Sequence, residues 1–188
     1  MPDPRLLQLV SDQAVLQRLD EPVQLASGQW SRYFIDGKLA VTDPDDFDFV
    51  GKLMRASAAE AGAVFDAVGG LVLGAVPFTF AVAAAARCRW FLIRKEPKGR
   101  GTNRWVEGAR LGEGLQVMLV DDVITTGGSI RQAYERVRGE GCVVTFATTL
   151  VDRGDDARAF FAGEGVPYAP LLSYTDLGIP RVGDETAG

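Results

Sequence analysis

Val117-Met118-Leu119-Val120-Asp121-Asp122-Val123-Ile124-Thr125-Thr126-Gly127-Gly128-Ser129 runs from a continuous apolar stretch, through two adjacent acids, into a loop of small residues. An unbroken apolar run suits a strand of a parallel sheet that is covered on both faces. Asp121 and Asp122 then fall at its carboxyl end, where open α/β sheets bind ligands. Thr125 to Ser129 has no bulky side chain, so backbone N–H groups can approach an anion closely. The hydroxyls of Thr125, Thr126 and Ser129 add donors. Ile130, Ala133, Tyr134 and Val137 recur at helical spacing, which predicts a helix that starts at the loop and points its positive end at the same spot. A phosphate suits that corner. The two acids repel a phosphate but can accept hydrogen bonds from a diol, so the stretch predicts a cradle for ribose 5-phosphate. The alternative is a strand ending in solvated acids, then an ordinary turn and a capped helix. It is neither a Walker loop, which needs Gly-Lys-Ser or Gly-Lys-Thr, nor a GxGxxG turn.

A chain of 188 residues, 47% hydrophobic, suits one compact domain (1–188) with a substantial core, and no boundary is visible within it. The net charge of −5 is unevenly laid out: Arg87 to Arg110 holds eight of the 20 basic residues and only two acids. One basic island on an acidic protein suggests a small polyanion as partner rather than nucleic acid. The chain has no histidine, which excludes Ser-His-Asp and Cys-His catalysis and removes the commonest zinc ligand. Cys88 and Cys142 lie in apolar contexts and read as packed, reduced thiols, so a cytoplasmic protein is expected. Ala67 to Ala86 carries no charge and is long enough to span a membrane, but Gly69, Gly70, Gly74 and Pro77 divide it into strand, loop and helix. No membrane span and no secretory signal are expected.

Helices are expected over residues 4–19, on Leu6, Leu9, Val10, Gln13 and Leu16, and from Asp45 to Ala61, with a small strand-rich hood between them at about 20–40. Strand-like runs follow at Phe65–Leu73, Trp90–Ile93, Val117–Val120, Val143–Val151 and Tyr168–Leu172, with helical stretches near 77–87, 127–139 and 155–163. That alternation predicts an α/β fold with a central, mostly parallel sheet flanked by helices; the interval 94–116 reads as a long loop.

Strand, diacid and TTGGS loop together resemble the phosphoribosyl pyrophosphate signature of the type I phosphoribosyltransferases, and other stretches resemble one branch, the orotate phosphoribosyltransferases. Arg94-Lys95-Glu96-Pro97-Lys98-Gly99-Arg100 opens a glycine-rich basic stretch that continues to Gly108. It is similar to the mobile lid of that branch (about 96–108), whose tip crosses into a partner subunit. The resemblance implies a homodimer with exchanged lids, in which Arg94, Lys95, Lys98 and Arg100 neutralise departing pyrophosphate. Arg100 stands where histidine is common; it can contact pyrophosphate but is a poor proton donor at neutral pH. A solvated loop with incidental charge is the alternative. Gly70 to Pro77 resembles the family's pyrophosphate loop, with Gly74 and Ala75 at a helix start that could form a second anion site. Many relatives carry lysine where Gly74 stands.

Ser27-Gly28-Gln29-Trp30-Ser31-Arg32-Tyr33-Phe34-Ile35-Asp36-Gly37-Lys38 resembles the base-binding hood, which the C-terminal segment completes. The resemblance puts Phe34 near the base and the backbone of Phe34 and Ile35 on its edge; the alternative is a partly buried strand. Ala26 replaces a lysine often found before Ser-Gly. Asp152-Arg153 matches an Asp-Arg pair of the branch, with Arg153 able to form a two-pronged bond to the orotate carboxylate, against a surface salt bridge as the alternative.

What the resemblance implies is transfer of the phosphoribosyl group from phosphoribosyl pyrophosphate to orotate, with Mg2+ held mainly through substrate oxygens and no direct protein ligand for it. Lys98, Asp121, Asp122 and Arg100 would carry the chemistry. Asp121 to Ser129, including Val123 and Ile124, would bind the ribosyl phosphate, with Thr125 also near the base. The substitutions at Ala26, Gly74 and Arg100 keep a different base in view. A non-catalytic sensor of phosphoribosyl pyrophosphate is a further alternative.

Overall fold

The strand that carries the acid pair is longer than its apolar run. In the computed structural model, which describes residues 2–12, 15–97 and 105–184, it spans Gln116–Ile124 and carries Asp121 and Asp122 within it. It is the sixth strand of the chain, β6, and lies in a six-stranded sheet. The others in that sheet are β3 (Ala67–Leu71), β4 (Arg89–Ile93), β5 (Val106–Gly108), β7 (Val143–Asp152) and β8 (Leu172–Ser173), in the order β5-β4-β3-β6-β7-β8. All neighbours are parallel except β4 and β5.

Among the described residues, five α-helices flank the sheet: α1 (Pro4–Ser11), α2 (Pro44–Glu60), α3 (Ala75–Ala86), α4 (Gly128–Gly139) and α5 (Asp156–Gly163). The apolar run of β6 is continuous because both its faces are covered. Met118 and Val120 join a core with Val50 and Met54 of α2 and Phe78 and Val82 of α3, while Val117 and Leu119 pack with Ile130, Ala133 and Val137 of α4 and Phe161 of α5. The uncharged stretch from Ala67 to Ala86 divides into β3 and α3, and among the described residues no helix is long and apolar enough to cross a membrane.

Four expectations change. The first helix ends at Ser11: Asp12 turns to extended backbone (ψ 137°), and the amides of Val15 and Leu16 bond its carbonyl. Leu16 instead opens β1 (Leu16–Gln24), paired antiparallel with β2 (Trp30–Ile35), because an apolar residue at helical spacing serves equally well opposite Ile35. The interval 94–116 is not loop throughout, since Val106–Gly108 returns along β4 as the antiparallel edge, so the basic stretch ends before residue 106 rather than at 108. The expected strand Tyr168–Leu172 contracts to a bridge at Tyr168 and the two residues of β8, with Pro170, which has no N–H for a ladder, between them. Gly37–Val41, read as the end of the hood, forms a 3₁₀ turn.

The helices α2 and α3 touch through Gly51, where an added Cβ would lie 2.5 Å from the carbonyl oxygen of Ala81. Gly51→Ala is expected to cost about 1–3 kcal/mol of unfolding free energy by overpacking. Gly139→Ala, whose added methyl meets nothing within 4 Å, should be neutral or stabilising by up to about 1 kcal/mol. Thermal unfolding of both variants decides, and indistinguishable melting temperatures would contradict the close helix contact.

Candidate active site

The cleft opens where β3 and β6 leave the sheet side by side, at the point where the strand order reverses direction, β3 connecting to β4 on one side and pairing with β6 on the other. Gly70 permits it: a Cβ there would lie 2.1 Å from the carbonyl oxygen of Val120 and 2.5 Å from Cβ of Ala75. Two adjoining cavities occupy the cleft. One, of about 660 Å³, is lined by the Val72–Gly74 loop, Arg94, Lys95, Asp121 and Asp122. The other, of about 520 Å³, is lined by Phe34, Ile35, Thr125 to Ser129 and Arg153. Lys38, Lys95, Asp122, Val123 and Ser129 belong to both. The peptide between Val72 and Leu73 is cis.

The anion corner is built by backbone. Gly127 caps α4 in the left-handed region (φ 75°), which glycine adopts without strain, and no side chain caps the helix, so its first amides face the loop. A Cβ on Gly128 would meet nothing within 4 Å, leaving space beside those amides.

The two acids are not equivalent. Asp121 is 3% exposed; its Oδ1 accepts from the amide of Asp122 at 3.1 Å, and its Oδ2 is buried without a hydrogen-bond partner. Burial first, and the neighbouring Asp122 charge second, push its pKa up to about 8, against a smaller opposing effect of hydrogen bonds from the Asp122 amide and Ser129. Asp122 instead turns its carboxylate into the cleft, filling the space a side chain at position 74 would need: a Cβ on Gly74 would sit 2.3 Å from Asp122 Oδ1. Its other oxygen lies 3.8 Å from Lys38 Nζ.

Arg153 is buried rather than on the surface. It is 1% exposed, and it donates from Nη1 to the carbonyl of Tyr33 at 2.6 Å and from Nη2 to Ser31 Oγ at 2.9 Å, tying the end of β7 to the hood while still lining the second cavity. Beside it, Asp152 accepts from Tyr168 Oη at 2.7 Å and from the Gly154 amide at 3.1 Å, and burial raises its pKa. Phe34, 40% exposed, faces the same cavity from β2.

Of the remaining residues singled out from sequence, Ala75 and Ile124 point into the core and line neither cavity. Lys98 and Arg100 lie outside the described residues. The stretch that carries them is anchored at both described ends: Arg94 N donates to Trp105 O at 2.8 Å, Arg94 Nη1 approaches Glu107 Oε1 at 3.6 Å, and the Arg136 guanidinium of α4 stacks 3.5 Å from the Trp105 ring centre. Lys38 ends the hood stretch, and nothing local signals that the 3₁₀ turn carries it to the acid pair. Among the described residues no three His, Cys, Asp or Glu side chains gather as a metal cage.

This arrangement, with an anion-binding loop after β6, a diacid and a hood over the same cleft, is that of a phosphoribosyl-binding protein. Residues 44–159 match the family described as phosphoribosyl transferase domain, and the chain belongs to that family. It is 40% identical over 172 residues to the orotate phosphoribosyltransferase of Methanothermobacter thermautotrophicus, covering 92% of each chain. Its fold is similar to that of the Mycobacterium tuberculosis orotate phosphoribosyltransferase in complex with Fe(III) dicitrate (TM-score 0.77, 33% identity, 93% of this chain and 98% of that one). The same enzyme in complex with phosphoribosyl pyrophosphate gives a TM-score of 0.73 at 30% identity, with 93% and 98% covered. Within the family, these relatives put the chain in the orotate branch.

The burial of Asp121 has a measurable sign. A carboxyl whose pKa is raised on folding contributes most stability below its unfolded value near 4 and loses it as pH rises toward the folded value, about 8. Asp121→Asn, neutral at every pH, should therefore melt close to the wild type at pH 4 and progressively above it as pH approaches 8, levelling off beyond. Thermal melts across that range test this, and a constant offset would show that Asp121 is not a buried acid.

Proposed function

We propose that the protein makes orotidine 5-phosphate and pyrophosphate from orotate and phosphoribosyl pyrophosphate, in the de novo route to UMP. The observation that carries this reading is the joining of the two cavities at Lys95, Asp122 and Ser129: a diphosphate on one side, a base under the hood on the other, and a 5-phosphate at the α4 start leave the sugar C1 between them.

In this mechanism the orotate ring nitrogen attacks C1 as the bond from C1 to the diphosphate oxygen breaks through an oxocarbenium-like state, the electron pair leaving with pyrophosphate and the proton of the ring N–H passing to a diphosphate oxygen or to water. Amides and hydroxyls from Thr125 to Ser129 hold the 5-phosphate, with the Val123 and Ile124 backbone completing the strand beneath. Asp122, and Asp121 behind it, accept from the ribose hydroxyls. Phe34 packs on the base, Ile35 and Thr125 border it, and Arg153 meets the orotate carboxylate while holding Tyr33 and Ser31. The Gly74–Ala75 loop, Arg94 and Lys95, with Lys98 and Arg100 from the basic stretch, receive the diphosphate. No protein nucleophile is required, since orotate brings the attacking atom and positioning plus electrostatics supply the acceleration.

The residues present suit a Mg2+ that arrives with the substrate, held mainly by diphosphate oxygens, since among the described residues no side chains gather to hold the ion themselves. When bound, the ion offsets charge on the leaving group. The same reading makes the protein a cytoplasmic homodimer in which the lid (Lys98, Arg100) serves the partner's cleft. Two unpaired cysteines, Cys88 and Cys142, are consistent with a reducing compartment.

Pyrophosphate release with Mg2+ and phosphoribosyl pyrophosphate, measured across orotate, uracil, hypoxanthine and adenine, is expected with orotate alone. Release with another base instead reassigns the substrate, and binding of the sugar without release from any base makes the protein a sensor. Lid exchange has its own test. Lys98→Ala should lower turnover by about 10²-fold, as for loss of one transition-state donor. Mixing it with an inactive Asp122→Asn chain should restore activity through one intact site per mixed dimer. Mixed dimers without recovery would rule the exchange out.

A further inference from the structure

We propose that Lys38 is a further substrate-binding cation of this cleft, meeting the diphosphate of the phosphoribosyl donor; this rests on the function proposed above and adds a residue to it. Lys38 sits in the 3₁₀ turn Gly37–Val41, which packs against the carboxyl end of β6. That approach depends on Gly37, where a Cβ would lie 3.2 Å from Asp122 Cβ, 3.3 Å from Val123 Cγ2 and 3.4 Å from Leu150 Cδ2. The next residue is thereby delivered to the mouth of the cleft. The Lys38 ammonium rests 2.5 Å from Asp36 Oδ1 and 3.8 Å from Asp122 Oδ2, its side chain still 45% exposed, and it lines both cavities.

The charges around the larger cavity show why such a group matters. Its described lining holds three acids, Glu96, Asp121 and Asp122, against three cations, Lys38, Arg94 and Lys95. Arg94 is engaged by Glu107 and by the Glu96 carbonyl. A diphosphate entering beside Asp122 needs positive charge on that side, and the floor of the cavity offers none: Gly74 has no side chain and its space is taken by the Asp122 carboxylate. Lys38 approaches from the opposite side of that same carboxylate. Its flexible stem and point charge allow the ammonium to leave Asp36 for a phosphate oxygen while remaining near Asp122. No proton transfer or bond change is involved.

Titration calorimetry of the full chain with three probes tests this: phosphoribosyl pyrophosphate, pyrophosphate and ribose 5-phosphate, with Mg2+. Lys38→Met keeps the stem and removes the charge. It is expected to weaken phosphoribosyl pyrophosphate and pyrophosphate about tenfold, as loss of one charge-assisted contact would, and to leave ribose 5-phosphate and the KM for orotate little changed. Lys38→Arg should restore most of the loss. Equal weakening of ribose 5-phosphate would assign Lys38 to orienting Asp122 and overturn the diphosphate contact, as would unchanged binding of all three probes. A wild type that binds the donor but releases no pyrophosphate with orotate sinks the orotate assignment alone, while the titrations still decide Lys38. A wild type that binds neither diphosphate probe overturns both.

Discussion

Two carboxylates on consecutive residues, one of them buried, are the costly feature around which this molecule is arranged. Removing Asp121 from water disfavours its ionised form, and Asp122 beside it adds repulsion, so the pair persists because the surroundings offset it. The Asp122 amide donates to Asp121 Oδ1 at 3.1 Å, Ser129 opposes the rise in pKa, and Lys38 Nζ stands 3.8 Å from Asp122 Oδ2. A folded protein gains nothing from such a pair by itself. A polyol entering the cleft, as in the function proposed above, would give both acids donors and so tie this corner to ligand binding.

The same corner dictates where small residues must stand. Gly70 lets β3 run close to β6, Gly74 leaves room for Asp122, and Gly37 lets the hood turn settle on the strand end. Each replaces a side chain with a backbone approach, and Gly37 and Gly74 bring two separate segments of the chain against Asp122. Arg153 performs the matching task on the far side. Its buried guanidinium binds a hood carbonyl and a hood hydroxyl, joining the end of β7 to the β2 strand along the wall of the second cavity. A base carboxylate beside that guanidinium would engage a group whose orientation is already set, which lowers the entropy lost on binding.

The stretch from Val117 to Ser129 was legible because its signals are local: apolar continuity, adjacent acids, small residues, then helical spacing. The division of Ala67–Ala86 into β3 and α3 was legible from its glycines and proline for the same reason. What sequence could not disclose depends on partners far along the chain. Leu16 satisfies a helical period and a strand pairing equally, and only its position opposite Ile35 decides. Val106–Gly108 is too short to announce itself and forms because β4 offers an open edge. The contact between Arg153 and Tyr33 joins residues 120 positions apart, and the role of Lys38 exists only once Gly37 has docked on β6.

A chain without histidine narrows what the site can do with protons. Burial raises the pKa of both cysteine thiols, which disfavours thiolate nucleophiles, and Asp121, the acid whose pKa is pushed up to about 8, is buried. A reaction that needed a proton delivered at C1 would be poorly served here. Breaking a bond from a sugar carbon to a diphosphate needs none if the leaving group departs into cations, and the proton released from the incoming ring nitrogen can pass to a diphosphate oxygen or to water. For the transfer proposed above, the cleft would act through placement and charge: amides at one end, lysine and arginine at the other, and an acid pair to hold the sugar between them.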